Sequence, residues 1–351
     1  MLSRSKLSLE MKRKHMKNVC PLTVAAIAAA VTFATTTVRA QSGFYRPLTL
    51  AQAQESAATE EGAASANTPP QQEVPEGLLA GASVPAETSD GASADEIARE
   101  LANPNNSLAS LTLKNQLRWY NGDLPGADDQ FNYTLLFQPV FPFTLPETSS
   151  GGKANVFVRP AFPILIDQPV FDAANAQFKS ASGLGDIGFD IGYGVTEKSG
   201  FLWAVGMVGT LPTATDSAFG GKQLRLGPEG LLARFEKWGL YGVFPSHQWN
   251  VAGWSDQYYA NTQIQAVFKV LPGGGWSIGS SPIMNYDWAL KEWSIPINVT
   301  VGRTVKMGKT PVKMEIEVNY YVEQYNAFGA QWMVGFNITP VVRNVINDWV
   351  H

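Results

Sequence analysis

The sequence predicts an all-β protein, a transmembrane antiparallel β-barrel of about twelve strands of the bacterial outer-membrane type. Between Leu108 and Val341, large apolar residues repeatedly alternate with polar residues or glycine, which is the period of a β-strand. Charged residues make up only 16% of the chain, whereas soluble domains usually contain about 25%. The 32 glycines and 22 prolines favour many short strands joined by turns over a helical protein.

The alternating segments have the right length for membrane strands, since most approach the roughly 9 to 11 residues that cross a bilayer when tilted. The clearest lie at 111–120, 131–138, 183–195, 258–270, 276–288, 293–301, 312–320 and 331–338. Weaker ones lie at 154–164, 201–210, 224–235 and 238–245, and the pattern slips register near Pro228 and Gly230.

The segment 183–195, "GLGDIGFDIGYGV", sets bulky residues against glycine and aspartate. The residues predicted to face lipid are Ile187, Phe189, Ile191, Tyr193 and Val195. On the opposite face, Gly188, Gly192 and Gly194 are predicted to leave the inner wall bare, so that side chains of adjacent strands can lie across it.

Three features favour a membrane barrel over a soluble sandwich, which would also have one apolar face. Short connections such as "TEKSG", "EKWG", "LPGGG" and "KMGKT" are predicted periplasmic turns, whereas 165–182, 211–223 and 246–257 are predicted long outer loops. Trp and Tyr gather at the ends of the apolar faces, where an interfacial girdle would lie. The opposite faces mix charge, amide and glycine, which suits a watery lumen.

The chain divides into four predicted regions. Residues 1–40 are predicted to be a signal peptide, with basic residues before an apolar run and "VRA" before the cleavage site. Residues 41–105 are a predicted flexible linker, rich in Ala, Gln, Ser and Pro, with a short helical turn at 94–103. Residues 106–343 form the predicted barrel, and 344–351 a C-terminal tail. Because Cys20 lies in the signal peptide, the mature protein would contain no cysteine.

The net charge of the chain is −4, and the acidity is concentrated in the predicted linker. Residues 41–105 contain 10 acidic and 2 basic residues. No basic stretch is large enough for nucleic-acid binding.

Ten charged residues are predicted to line the lumen: Lys114, Arg118, Arg159, Asp186, Asp190, Lys269, Asp287, Lys313, Glu315 and Glu317. In one interpretation, the basic residues of the first three strands oppose carboxylates of later strands, which have Lys269 and Lys313 among them. The resulting field would orient dipolar solutes without strong ion selectivity. In the other, these groups form internal ion pairs that stabilise the barrel. The residue pattern leaves both open.

No enzyme, metal or cofactor site is predicted. Four residues apart on a strand, Asp186 and Asp190 would lie about 13 Å apart, beyond the roughly 5 to 9.5 Å of glycosidase carboxylates. Neighbouring residues Ser246 and His247 would point to opposite faces of a strand. The loop "GADDQ" at 126–130 is interpreted as solvated rather than as a calcium site. The glycines near 183 do not open a helix, as a phosphate loop would require.

Several stretches resemble, in order, the outer-membrane proteins named for the MetA-pathway of phenol degradation. They are "ELANPNNSLASL", "FQPVFPF", "VRPAFPILIDQP", "GLGDIGF", "LPTATD" and "LPGGGWSIGSSPIMNYDW", and the resemblance spans roughly 96–341. It implies an outer-membrane β-barrel transporter connected with aromatic compounds. The end of the chain departs from outer-membrane barrels generally, because it stops at His351 rather than at an aromatic residue.

Together these patterns predict a passive outer-membrane channel or transporter for small organic molecules, aromatic or hydrophobic ones included. The alternative is a structural or assembly-related barrel with a closed lumen. Twelve strands would give a backbone radius of roughly 12 Å and a narrow passage. The expected partners are outer-membrane lipid, a small solute and the barrel assembly machinery.

Overall fold

The computed structural model describes residues 92–344, which belong to one compact unit and consist mostly of β-strands. The predicted signal peptide and the linker up to residue 91 lie outside the described residues, as do residues 345–351 of the predicted tail. The described part of the predicted linker contains the helix α1, Ala94–Ala102, close to the predicted helical turn. Within 92–344, no helix is long and apolar enough to cross a bilayer.

Fourteen strands follow α1. They are β1 Ser110–Asn121, β2 Phe131–Thr144, β3 Lys153–Asp172, β4 Gln177–Leu184, β5 Gly188–Thr196, β6 Phe201–Thr210, β7 Gln223–Glu236, β8 Gly239–Gly253, β9 Ala260–Gly273, β10 Trp276–Ser280, β11 Ile283–Asp287, β12 Glu292–Met307, β13 Thr310–Glu323 and β14 Gly329–Pro340. Short 3-10 turns occupy Ala127–Asp129 and Ser217–Phe219.

The fourteen strands build a closed wall of twelve, because two wall positions are each filled by two short strands. Strands β4 and β5 both pair with β3, one above the other. Strands β10 and β11 both lie between β9 and β12. The first strand, β1, pairs antiparallel with the last, β14, which closes the wall, and β4 pairs with β3 alone. The predicted barrel of about twelve antiparallel strands is confirmed.

The two ends of the barrel differ in their connections. At one end, here the turn end, turns of two to four residues join the strands at 197–200, 237–238, 274–275 and 308–309, and a longer turn at 145–152 joins β2 to β3. At the other, the loop end, lie the segments 122–130, 173–176, 211–222, 254–259, 288–291 and 324–328. Two predicted loops, 165–182 and 246–257, are largely strand instead, because β3, β4 and β8 extend beyond the segments that the alternation marked.

The outer face carries a broad apolar belt. Exposed outward side chains near its middle include Ile191, Val205, Leu232, Val243, Ile278, Ile297, Val299, Val301 and Ile316. Exposed tryptophans border the belt, with Trp238 and Trp276 towards the turn end and Trp119, Trp249, Trp288 and Trp332 towards the loop end. This arrangement fits a hydrocarbon layer between two aromatic girdles.

One predicted lipid-facing residue is covered by the protein itself. Val195 has an exposed fraction of 0%. It lies at the turn end of β5, where the 145–152 turn packs over it, and a Cβ at Gly152 would approach Val195 Cγ1 to 2.9 Å. Alternation in the sequence predicts that the Val195 side chain points outward, but it cannot predict that a turn covers that side chain.

Candidate functional site: the barrel lumen

The inward face of the barrel is rich in buried polar side chains. Charged residues and apolar residues occupy different parts of this face. Buried inward residues include Asn132, Thr134, Asn298, Thr300, Thr304, Asn319 and Asn337. In a membrane barrel the interior is the polar side. The alternation along each strand therefore places these residues in the lumen.

In the first charged cluster, side chains of two strands that are not neighbours meet across the lumen. Glu315 of β13 accepts hydrogen bonds from Lys313 at 2.7 Å and from Lys269 of β9 at 3.0 Å. Strands β9 and β13 are separated by two wall positions, so the Lys269 contact crosses the interior. The three side chains are only 12–13% exposed, which makes this a largely buried ion-pair triad.

A hydrogen-bonded amide group continues the triad along the same side. Glu317 Oε1 accepts from the amides of Asn298 and Asn319, each at 3.1 Å, and Asn298 also donates to Asn319 Oδ1 at 2.9 Å. We call the inner face formed by Lys269, Asn298, Lys313, Glu315, Glu317 and Asn319 the charged wall. Because each group has a partner, the wall is held by directional bonds.

Two predicted lumen residues of β1 border the charged wall. Among residues 92–344, Lys114 has no hydrogen bond or ion pair, but Glu315 and Glu317 act on its charge electrostatically. Arg118 donates to Gln116 at 2.7 Å and to Asn132 at 3.3 Å.

The second charged cluster lies on the other side of the lumen. Arg159 of β3 donates from Nε to Asp190 of β5 at 2.6 Å. The Arg159 guanidinium also lies over the rings of Phe157 and Phe244, 4.6 and 5.4 Å from their centroids. Glu229 of β7 is within the electrostatic range of both members of the ion pair.

An apolar cluster covers the inner wall beside this second group. It consists of Phe157, Leu202, Ala204, Leu231, Ala233 and Leu240, with Phe235, Phe244 and Val267 packed against it. We call it the apolar wall. Leu202 and Leu240 have exposed fractions of 0%, so this part of the lumen is closely packed.

The remaining two predicted lumen carboxylates bind backbone amides at the loop end. Asp186 accepts from the amides of Thr213, Ala214 and Gly221 at 2.8–3.0 Å, which fastens the 211–222 loop. Asp287 accepts from the amides of residues 289 and 290 at 2.8 and 2.9 Å. These contacts give both carboxylates a role in holding loops.

Five of the ten predicted lumen charges form ion pairs with one another, and Arg118, Asp186, Asp287 and Glu317 bond to amide groups instead. Arg159 is paired with Asp190, and Lys269 and Lys313 share Glu315. Lys114, Arg118 and Arg159 do lie on β1 and β3, and a field across the lumen stays a prediction. Glu229 was missed, because Pro228 and Gly230 interrupt the pattern around it. Continuing the odd-numbered inward face from Leu231 and Ala233 would have placed it in the lumen.

The glycines of β5 make room for side chains of other segments, as predicted for Gly192 and Gly194. A Cβ at Gly192 would overlap the Phe157 ring, and one at Gly194 would meet Asn105 Oδ1 at 2.6 Å. On β6, a Cβ at Gly206 would lie 2.7 Å from Glu229 Oε1. Bare backbone on β5 and β6 thus accommodates the side chains of both the apolar wall and the second charged cluster.

The helix α1 begins at a capping box at the turn end. The Ser93 hydroxyl accepts from the Glu96 amide, and Glu96 Oε2 accepts from the Ser93 amide at 2.6 Å. That backbone hydrogen bond lowers the pKa of Glu96 from its ordinary value. The cap satisfies amides at the helix start that have no partner within the helix.

The segment 94–105 reaches several parts of the turn end. Asp95 accepts from the Gly275 amide at 2.5 Å, and the Arg99 guanidinium lies 5.0 Å from the Phe235 ring centroid. Farther along, Asn105 bonds to Thr196 at 3.3 Å and its carbonyl accepts from Asn155 at 3.0 Å. Since these partners lie on β3, β5, β7 and the β9–β10 turn, the segment extends across the mouth of the lumen.

The buried face of α1 fixes it to the barrel. Ile97 has an exposed fraction of 2%, and Ala98 and Ala102 are also buried. A cavity of about 1000 Å³ remains beside the helix, bordered by the 145–152 turn, Lys198 and residues 342–344. The turn end is therefore partly covered and not filled.

Aromatic side chains cover part of the loop end. Phe328 stacks on Tyr120 with centroids 4.2 Å apart and contacts Phe178 at 4.7 Å. Leu124, Ala127 and Phe171 complete this buried cluster. Phe328 of the 324–328 loop is thus buried in this cluster, whereas Trp254 of the 254–259 loop is exposed.

The geometry is similar to that of solved outer-membrane barrels. An outer-membrane channel from Pseudomonas putida F1 matches with a TM-score of 0.52 and 11% identity, over 67% of this chain and 95% of that chain. The fold is a bacterial outer-membrane barrel. The NanC porin matches with a TM-score of 0.40 and 10% identity, over 66% and 99%. The Salmonella typhi outer-membrane phospholipase matches with a TM-score of 0.36 and 9% identity, over 72% and 100%.

No protein-family model matches the sequence, and no curated protein matches it. At these identities the structural similarity establishes the fold alone. The closed wall and the exposed apolar belt place the protein in the outer membrane.

The residues considered for catalysis do not come together. His247 faces outward, where Nδ1 lies 2.8 Å from Thr262 Oγ1 and the ring contacts Trp249 and Trp288. Ser246 lies on the inward face opposite Glu229 in the strand register. Within 92–344, no three His, Cys, Asp or Glu side chains are grouped as metal ligands.

Proposed function

We propose that the protein is an outer-membrane channel for small amphipathic organic molecules, and that α1 narrows its turn end in the conformation described. The observation that carries the proposal is the division of one lumen into an apolar wall and a charged wall. A solute with an apolar body and a polar group would find a matching surface for each part. The similar fold of the Pseudomonas putida channel supports this function.

The orientation and solute class are parts of the same proposal. Short turns face the periplasm in barrels of this type, so α1 would lie on the periplasmic side. The resemblance to the MetA-pathway proteins supports aromatic compounds as solutes. Surrounding lipid and the barrel assembly machinery would be the other partners.

A second candidate is a structural barrel with a closed lumen. The observations that favour it are the buried Lys269–Glu315–Lys313 triad and the coverage at both ends. Such contacts would stabilise the barrel without passage.

Reconstitution of the mature chain separates the two candidates. Discrete conductance steps in planar bilayers, together with swelling of liposomes in isotonic small phenols, are expected of a channel. Boiled protein provides the control for leakage. Electrical silence together with absent swelling would favour the structural barrel.

A further inference from the structure

We propose that the lumen contains a binding site for a small organic cation, formed by Glu229, the Arg159–Asp190 ion pair and the apolar wall. This proposal rests on the proposed channel function and specifies a class of solute for the channel. An ammonium group would bind the Glu229 carboxylate, and an apolar body would lie against Phe244 and Val267, which are only partly buried members of the apolar wall.

The Glu229 side chain provides the first observation. It is 7% exposed, and its Oε1 is buried without a hydrogen-bond partner among residues 92–344. Gly206 leaves space for that oxygen on the neighbouring strand. A buried acceptor without a donor is costly, and a ligand N–H would supply the missing hydrogen bond.

The charge balance of the cluster gives the sign of the ligand. Arg159 donates to Asp190, so the guanidinium is already matched by one carboxylate. Lys114 of β1 interacts electrostatically with Asp190 and Arg159, but it is not among the groups that act on Glu229. Arg159, Asp190 and Glu229 together have a formal charge of −1. A monovalent cation balances it, whereas a carboxylate ligand would add a second uncompensated negative charge.

The surroundings favour an organic cation over a bare metal ion. Leu231 and Ala204 of the apolar wall lie beside Glu229 on the inward faces of β7 and β6, and both are buried. Phe157 and Phe244 already contact one cation, the Arg159 guanidinium. Aromatic rings attract ammonium groups through their negative faces, and apolar side chains gain from covering a hydrocarbon body.

Calorimetric titration of the purified full-length mature chain tests the proposal with three probes of similar shape. They are benzylammonium, benzyl alcohol and benzoate, which differ in charge. Benzylammonium is expected to bind about thirtyfold or more tightly than the other two, and Glu229→Gln is expected to remove that preference. Glu236→Gln is the matched control, because Glu236 lies on the same strand in an exposed pair with Arg234.

The titrations are repeated in the Ile97→Asp background, in which α1 should be displaced. This excludes the explanation that α1 keeps the probes from reaching the lumen. Equal binding of the three probes in folded protein of both backgrounds would overturn the proposal. So would a benzylammonium preference that survives in folded Glu229→Gln. If Glu229→Gln does not fold, the comparison of the three probes with the unsubstituted chain still decides.

The outcome is separable from that of the proposed function. A chain that binds benzylammonium selectively but neither conducts nor passes solutes retains the site and contradicts the channel. A chain that conducts but does not distinguish the three probes contradicts the site and retains the channel.

Discussion

The charged wall and the apolar wall enclose the same lumen but are stabilised differently. On the charged wall, Glu315 and Glu317 each accept two hydrogen bonds from named partners. On the apolar wall, Leu202 and Leu240 are buried among other hydrophobic residues. Directional bonds fail when one partner is removed, whereas packing weakens in proportion to the volume lost. The contrast shows that a barrel interior can combine a polar network and a small hydrophobic core.

The largest effect is expected from breaking the charged wall at its shared acceptor. Glu315→Gln leaves Lys269 and Lys313 without their common carboxylate, and we expect the free energy of unfolding to fall by about 3–5 kcal/mol. Urea unfolding in lipid vesicles, followed by the heat-modified electrophoretic shift, measures the change.

The exposed pair Arg234–Glu236 provides the control for this substitution. Glu236→Gln should change the free energy of unfolding by less than about 1 kcal/mol. Similar small losses in both variants would show that the buried triad contributes no more than a surface pair.

A smaller effect is expected from removing volume from the apolar wall. Leu240→Ala should lower the free energy of unfolding by about 2–4 kcal/mol in the same assay, because the close-packed surroundings cannot fully collapse. The exposed Leu232 of β7 faces outward, so Leu232→Ala should cost less. Equal losses would argue against a packed core inside the barrel.

The contact between β5 and the apolar wall provides a test on a single pair of residues, with a smaller expected loss of stability. Gly192→Ala forces the Phe157 ring from its place and should cost about 1–3 kcal/mol. Adding Phe157→Leu should restore part of the loss, since the smaller side chain leaves room for the new methyl group. A double mutant whose two losses simply add would mean that the ring and the glycine do not interact.

The smallest effect concerns α1, which contacts the turn at Gly275 and the Phe235 ring beside the apolar wall. The pKa of Glu96 is lowered in the folded protein from 4.5, so its carboxylate stabilises the helix cap fully above that value. The contribution is lost as pH falls through the lower folded pKa. Protease cleavage near residue 94 should accelerate in that acidic range, and Glu96→Gln should remove the acid-dependent part of the change.

The difference between the walls also explains how far the sequence predicts the structure. Alternation is clear in β12 and β13, whose inward residues are polar, such as Asn298 and Glu315. It is weak in β6 to β8, where inward residues such as Leu202 and Leu231 are as apolar as their outward neighbours. The sequence still predicts these strands, as weaker alternating segments at 201–210, 224–235 and 238–245. The inward direction of Glu229 was missed because Pro228 and Gly230 interrupt the pattern of β7.

Pairings inside the lumen could not be predicted from single strands. The contact from Lys269 to Glu315 joins positions 46 residues apart and depends on the curvature of the closed wall. The use of Asp186 to hold the 211–222 loop depends on the loop's path, for which alternation gives no signal. The docking of α1 depends on Asp95 and Asn105 meeting partners far along the chain.

Single-channel recording of Ile97→Asp in planar bilayers tests most directly whether the two-walled lumen is a passage narrowed by α1. Ile97 is buried, so the charge should displace the helix, whereas Ile97→Leu should leave it docked. The account predicts larger or more frequent conductance steps for folded Ile97→Asp than for Ile97→Leu and the unsubstituted chain. Identical recordings from all three folded proteins would contradict it.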